Sequence, residues 1–371
     1  MKLSKIILNF FLVLTLMFIL VNCGQEKSET IRIAGNLPLS GPISAWSGQY
    51  PNGFNMGIKD ACQENGIPEE RFVMDFQDNA GKPSQASSIV QKQLLKDVDI
   101  YISGTSDMST AISPEINKLG IPHFLAAFDA YLCKENINKL RILPHFKIEG
   151  PLFVKYAKKK NAKRIFIIAL NISSIVEEHK KIVEPGLDKE GIEYKEEFFD
   201  FNTRDYNTIA LKVSEFKPDI IFVSGFSFHI YPILGALRTF DLIKEGSVLC
   251  NMDFVDLLHN DTPRSELSEV AFITPIIEMP KAINAFEEWK LLYQKMYNRT
   301  PTYVEAYAYE TARTIVAAYK KDKNLNKDNI RSILPRQGII GEINLDADGD
   351  LVSTLTIGYI SKSHSIEKLD V

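Results

Sequence analysis

From residue 31 onward the apolar positions keep two alternating rhythms. Short runs rich in Val, Ile, Phe and Tyr predict strands at 31–35, 72–76, 98–103 and 122–125. Between them apolar residues recur at helical spacing and predict helices at 52–65, 84–96 and 108–118; Ile89, Val90 and Leu94 share one face of the second. A turn through Pro38-Leu39-Ser40-Gly41-Pro42 separates the first strand from its helix. Strands alternating with helices predict a parallel sheet covered on both faces, because parallel neighbours need a helical crossover. The rhythm then restarts, with strands at 164–170, 194–199, 219–223 and 248–250 and helices at 175–189, 206–216 and 231–242. Two doubly wound α/β halves therefore stand in series, alike in architecture but not in sequence.

After 271–273 the pattern changes. Long helices are predicted at 282–297 and 304–320 and a short one near 328–334. A hairpin-like pair then follows at 341–345 and 351–360, joined by Asp346-Ala347-Asp348-Gly349-Asp350. Helices and then strands after two α/β halves predict a chain that recrosses between lobes. One lobe is assigned to 30–146 and 275–335, the other to 147–274 and 336–371, joined by a multi-strand hinge.

The first residues belong to neither rhythm. Lys2 and Lys5 precede an apolar run from Phe10 to Val21, broken only by Thr15. A basic end, a short apolar run and a polar break form the signal-peptide pattern, and the run is short of the ~20 residues of a membrane span. Leu20-Val21-Asn22-Cys23-Gly24 resembles a bacterial lipobox, although Asn22 stands where a small residue is usual. Residues 1–22 are thus expected to be a lipoprotein signal peptide, Cys23 the lipidated residue, and 23–29 a polar tether. No later stretch is apolar enough to span a bilayer. The remaining length suits two domains at about 150 residues each.

The formal net charge is −4, and loss of Lys2 and Lys5 makes the remainder more acidic. Nucleic acid is not an expected partner, since its binding needs concentrated Lys and Arg. The six histidines, at 123, 145, 179, 229, 259 and 364, form no metal pair. Gly225-Phe226-Ser227-Phe228-His229 begins like a nucleophile elbow but lacks its closing glycine. The 346–350 acids form a turn rather than a calcium loop, because Gly349 falls between the second and third acids. Cys62, Cys133 and Cys250 have no ligand spacing. Cys62 shares a helical face with Phe54 and Ile58, the position of a plain buried thiol, although a Cys62–Cys133 bridge is the alternative. No catalytic set, cofactor or metal is expected, and the chain is read as a non-enzyme.

The loops after the strands offer binding chemistry instead. In open parallel sheets a ligand sits beyond the carboxyl ends of the strands. Those loops are 39–46, 104–109, 126–130, 224–228 and 251–254, and they hold small, hydroxyl, aromatic and acidic residues. At 104–109 the loop opens a helix, so backbone N–H groups and the hydroxyls of Thr105 and Ser106 converge where a carboxylate would sit. Simple N-capping by Ser106 is the plainer alternative. Trp46, in a glycine-flanked loop, is expected to be an exposed platform for a ligand or partner.

Five segments, in order, resemble one family. They are IRIAGNLPLSGPISAWSGQYPNGFNMGIKDA, FQDNAGKPSQASSIVQKQL, DYNTIALKVSEFKPDIIFVSG, AYAYETARTIVAAYKK and GEINLDADGDL. They are similar to the branched-chain amino-acid-binding type of periplasmic solute receptor, with the type I periplasmic-binding fold. The resemblance runs from Ile31 to about Ile360. It implies a small ligand bound in a cleft that closes by hinge motion, ABC permease subunits as partners, a monomer, and a lipid-anchored place in the cell envelope. By position it implies that Trp46 is a cleft aromatic and that Ser106 holds the substrate carboxylate. Ala127 would offer its carbonyl to the substrate ammonium, with Phe128 beside it. Phe226 or Phe228 would supply an aromatic from the second lobe, and Asp253 the acid for the ammonium. Asp129 stands where many relatives place Thr. With Asp107 beside Ser106, it would repel a ligand carboxylate, which points to a cationic or neutral polar ligand unless Asp129 turns away. A sensor of the same fold, or an adhesin with a vestigial cleft, are the rival readings.

Overall fold

The computed structural model describes residues 30–134 and 138–371; the expected signal peptide and Cys23 lie outside them. Strands β1 (Ile31–Leu37), β2 (Phe72–Asp78), β3 (Ile100–Gly104), β4 (His123–Ala126) and β5 (Lys139–Leu140) form a parallel sheet in the order β2-β1-β3-β4-β5. Strands β6 (Arg164–Leu170), β7 (Glu193–Phe199), β8 (Ile220–Ser224), β9 (Val248–Cys250) and β10 (Val270–Pro275) form a second sheet. Within it β7-β6-β8-β9-β10 repeats the arrangement of the first. In both halves the strand order reverses once, between β1 and β3 and between β6 and β8, so each half has a switch point at its carboxyl edge. Inner strands such as β3 and β8 are buried along their whole length, as strands covered on both faces must be. The edge strand β7 reads EYKEEFF and stays partly exposed, its charges protecting the open edge.

The end of the chain departs from the predicted hairpin. Leu345 and Leu351 meet only in an isolated bridge. The hairpin that does form joins β11 (Arg336–Gly338) to β12 (Gly341–Ile343). It packs on the Tyr303–Lys321 helix, where Arg336 pairs with Glu310 at 2.5 Å and Ile339 N–H donates to the same carboxylate. Strand β13 (Leu355–Ile360) instead adds antiparallel to β10, and β14 (Ile366–Leu369) adds to β13. Every residue of β13 is buried, so pairing with the sheet hides apolar surface that a free hairpin would expose. The helix Phe146–Lys159, which the periodicity did not mark, is interrupted in sequence by Gly150 and by Pro151, an interior proline that forgoes one backbone hydrogen bond of the helix.

Two features hold the late helix Tyr303–Lys321 in place. The helix Tyr50–Asn65 lies so close to Tyr303–Lys321 that a Cβ on Gly53 would fall 2.2 Å from the Glu305 carbonyl oxygen. One on Gly57 would fall 2.4 Å from that of Tyr309. The later helix starts in a capping box: Thr302 Oγ1 accepts from Val304 N–H (3.2 Å), and Thr302 N–H donates to Glu305 (2.9 Å). Thr302→Ala is expected to lower the unfolding free energy by about 1 kcal/mol in urea titration.

The chain passes between sheets three times, at 141–145, 276–283 and 344–354. The first and third passages are stitched together by charge. Arg141 pairs with Asp350 at 2.6 Å, both side chains fully buried, and Arg141 N–H donates to Gly349 (2.9 Å). Lys147 reaches Asp348 (2.8 Å) and Asp350 (3.0 Å). Of the 346–350 acids, whose carboxylates gather within 4.8 Å, Asp348 and Asp350 are therefore occupied by cationic side chains, while Asp346 accepts from the Gly349 and Asp350 N–H groups of its own turn. Cys62, Cys133 and Cys250 are buried and unpaired, so the alternative Cys62–Cys133 bridge does not form.

Candidate functional site

The carboxyl ends of both sheets face each other across a cavity of about 210 Å³. Its walls come from the loops after the strands, taken in turn. The first sheet supplies Ile43 and Trp46 after β1, Gly81 and Pro83 after β2, Thr105 to Met108 after β3, and Phe128 after β4. The second supplies Ile172, Ser174 and Ile175 after β6, Phe201 after β7, Gly225 and Phe226 after β8, and Asp253 after β9. Phe146, just past the first hinge passage, closes the base.

Most of the site residues read from the sequence converge here. Trp46 lies in the short helix Ser44–Ser47 and is buried rather than exposed. Its Nε1 donates to Tyr303 Oη (3.2 Å), and its ring lies 5.2 Å from that of Phe128. Indole burial wins because an N–H partner is at hand, which removes the desolvation cost of hiding it. Phe128 continues the aromatic wall to Phe146 (5.8 Å). On the facing lobe, Phe226 lines the cavity while Phe228 stacks behind it, centroids 5.6 Å apart.

Thr105 sits at the N-cap position of the helix Ser106–Asn117 with φ +61° and ψ 155°. That region is nearly reserved for glycine and costs on the order of 1–3 kcal/mol elsewhere. Here the backbone is fixed by Thr105 N–H donating to Ala126 (2.8 Å). No side chain caps the helix, and Thr105 Oγ1 is buried without a partner. Ser106 does not cap either; its Oγ accepts from Asp129 N–H (3.0 Å), leaving its own proton for a neighbour. A helix end with uncapped N–H groups and two hydroxyls suits a carboxylate.

Asp129 turns away from that end. Its Oδ1 accepts from Tyr131 N–H (2.7 Å), and its carbonyl accepts from Arg141 (2.6 Å). Ala127 does not line the cavity, and its carbonyl also accepts from Arg141 (2.9 Å). The acid that does face the cavity from this loop cluster is Asp107, whose carboxyl is raised by burial and then by Asp129. Across the cavity, Asp253 Oδ2 accepts from Asn251 (3.0 Å), whereas Oδ1 has no partner. Burial, reinforced by Asp256 and Glu149, holds the Asp253 carboxyl well above the usual range.

This arrangement, two lobes of like topology with a ligand-sized cavity at both switch points, is matched by known proteins. The family model described as periplasmic binding protein matches residues 30–355. The chain belongs to the periplasmic-binding-protein family. A Leu/Ile/Val-binding protein of Rhizobium johnstonii is 22% identical over 232 residues, 57% of this chain and 58% of its own. The match thus spans less than two thirds of that relative. Solved structures share the type I periplasmic-binding fold over 92% of the chain. One is a branched-chain amino acid transporter substrate-binding protein of Streptococcus pneumoniae with isoleucine (20% identity, 99% of that chain, TM-score 0.79). Another is a solute-binding protein of Rhodopseudomonas palustris with 3,4-dihydroxybenzoic acid (17% identity, 96% of that chain, TM-score 0.77). The same fold therefore holds chemically unlike solutes, and the cavity's own side chains decide the solute of this periplasmic binding protein. Among the described residues no helix is long and apolar enough to cross a membrane.

Sequence reasoning missed Ile172, Ser174, Ile175 and Phe201 as cavity residues. The rule that selected 39–46 and 224–228 applies equally to the loops after β6 and β7, so the signal was present. It missed Phe146 because the hinge passage that places it has no local pattern.

Proposed function

We propose that the protein is an extracytoplasmic solute receptor that captures a small, amino-acid-like ligand between its lobes and presents it to an ABC permease. One observation carries this reading. The unpartnered Thr105 hydroxyl and uncapped helix end stand on one wall of a single cavity, and the unpartnered Asp253 oxygen stands on another. An ammonium and a carboxylate on one molecule complete both, and each buried polar atom left unpaired otherwise costs about 1–3 kcal/mol. The aromatic surfaces of Trp46, Phe128 and Phe226 sandwich what lies between. In this reading Cys23 carries the lipid that holds the receptor at the membrane surface, and residues 23–29 tether it.

Thermal shift and titration calorimetry of the purified protein against the common amino acids test the proposal. Saturation a hundredfold above Kd stabilises the folded form by about 2.7 kcal/mol, enough for a clear rise in Tm. Asp253→Asn is expected to weaken the best ligand at least tenfold, about 1.4 kcal/mol, without unfolding the protein. A folded wild-type protein that shifts with no amino acid would refute the receptor reading.

A further inference from the structure

Behind the cavity lies a set of acids with no counter-charge among the described residues. Glu178 is buried, and neither of its carboxylate oxygens has a partner. It follows Ser174 and Ile175 by four and three residues, so it shares the helical face that lines the cavity, one turn deeper. Glu149 is fully buried and relates in the same way to Phe146, three residues before it on the helix Phe146–Lys159. Its Oε2 accepts from Met252 N–H (3.4 Å), which sets it beside Asp253, while Oε1 has no partner. Gly150 lets the two segments approach closely: a Cβ there would stand 2.8 Å from Ile182 Cγ2 and 3.2 Å from Glu178 Oε1. Glu149, Glu178 and Asp253 therefore cluster from three elements, with Asp253 in the cavity wall and the two glutamates buried behind it.

The nearby cations are committed elsewhere. Arg141 serves Asp350 and the carbonyls of Ala127 and Asp129. Lys147 serves Asp348 and Asp350, and Lys181 pairs with Glu177 and lies over the Tyr131 ring. His179 is engaged by Glu196, and His145 is held neutral, its imidazolium pushed down to about 3 by burial and then by Arg141. The remaining charges that bear on the two glutamates, Asp129 and Asp253, are acidic. Burial pushes Glu149 up to about 8, and burial, then Glu149 and Asp129, hold Glu178 well above the usual carboxyl range. A carboxylate pair buried at such cost without a partner is rare unless something supplies the opposite charge.

We propose that the ligand carries a second cationic centre, as a basic amino acid does, and that Glu149 and Glu178, buried behind the cavity wall beside Asp253, receive it. The proposal rests on the receptor reading: Thr105 and Ser106 take the carboxylate, Asp253 the α-ammonium, and the glutamate pair the side-chain cation. Because the raised carboxyls must ionise to meet it, binding expels protons to solvent.

L-Lysine and L-norleucine, nearly the same shape and different by one charge, provide the test in calorimetry at pH 7. Lysine is expected to bind on the order of a hundredfold more tightly than norleucine, because a site built for a polar group rejects the analogue lacking it. Its apparent heat should change between buffers of different ionisation enthalpy, revealing proton release. Glu178→Gln and Glu149→Gln, each checked for an unchanged fold by circular dichroism, should each cut lysine affinity at least tenfold, spare norleucine, and reduce the proton release. Equal or tighter binding of norleucine or leucine overturns the second cationic centre and leaves the receptor reading intact. So does a lysine preference that survives both substitutions. Absence of binding by lysine, norleucine and leucine alike overturns the second cationic centre, and the same silence across the common amino acids overturns the receptor reading as well.

Discussion

Arg141→Leu is expected to lower the unfolding free energy by about 3 kcal/mol, toward the lower end of the range for breaking a buried ion pair. Two charges taken out of water are tolerable only while each has the other. Arg141 and Asp350 meet at 2.6 Å with neither side chain exposed, and Arg141 also satisfies the carbonyls of Ala127 and Asp129. Without the guanidinium, Asp350 keeps only Lys147 among its cations at hydrogen-bonding distance, and the two carbonyls lose their donor. Lys147 is the reason for expecting the lower end. The effect carries a pH signature. Burial raises the Asp350 carboxyl, but Arg141, His145 and hydrogen bonds from Cys133 and Lys147 outweigh it and hold it at about 2. The folded value lies below the unfolded value of about 3.9, so the stabilisation is complete above that value and is lost as the pH falls toward 2. Urea unfolding of the wild type between pH 6 and pH 2.5 should show that loss, and Arg141→Leu should remove most of it. A variant as stable as the wild type at pH 7 would show that the pair does not hold the hinge. Arg141→Leu with Asp350→Leu should regain much of the deficit, since an apolar pair leaves no buried charge.

Gly57→Leu should be at least as damaging, by about 3 kcal/mol or more. The contact is with backbone: the new Cβ alone would stand 2.4 Å from the Tyr309 oxygen and 2.8 Å from Ala312 Cβ. A side chain could rotate away, but a helix carbonyl cannot move without separating Tyr50–Asn65 from Tyr303–Lys321. Overpacking a well-filled site typically costs 1–3 kcal/mol even where side chains give way, so an unyielding backbone exceeds that. Gly66→Ala is the natural control. There φ is +63° with nothing within 4 Å, so only the conformational cost of about 1 kcal/mol applies. Thermal unfolding should separate the two, at roughly 2–4 °C per kcal/mol for a protein of this size. Similar losses for both would mean that the helices are not in close contact.

Much of the site could be read from the chain because the ligand-bearing loops lie at predictable ends of predictable strands. Trp46, Thr105, Ser106, Phe128, Phe226 and Asp253 all follow strand ends and all line the cavity. What misled was exposure. Trp46 in a glycine-flanked loop looks solvent-facing until Tyr303, far along the chain, supplies a partner for its indole. Asp129 looks like a ligand-facing acid until the Tyr131 N–H and the Ser106 hydroxyl claim its turn. In the same way the predicted 341–345 and 351–360 hairpin had sound local turn chemistry. A buried place beside β10 offers β13 more than a lone two-stranded ribbon, which is marginal in water.

By itself the sequence determined the alternation of strands and helices within each α/β half, the doubling of that unit and the loops that carry binding chemistry. Those properties are set by spacing along the chain: period two, period 3.6, and the turn residues between them. Only the tertiary structure decided which lobe each late segment joins, which acids keep a counter-charge and what stands behind the cavity wall. Glu149 and Glu178 are ordinary helical glutamates in sequence. They become a pair because the helices on either side of β6 pack against each other, and the burial and charge of a group depend on neighbours that local spacing does not reveal.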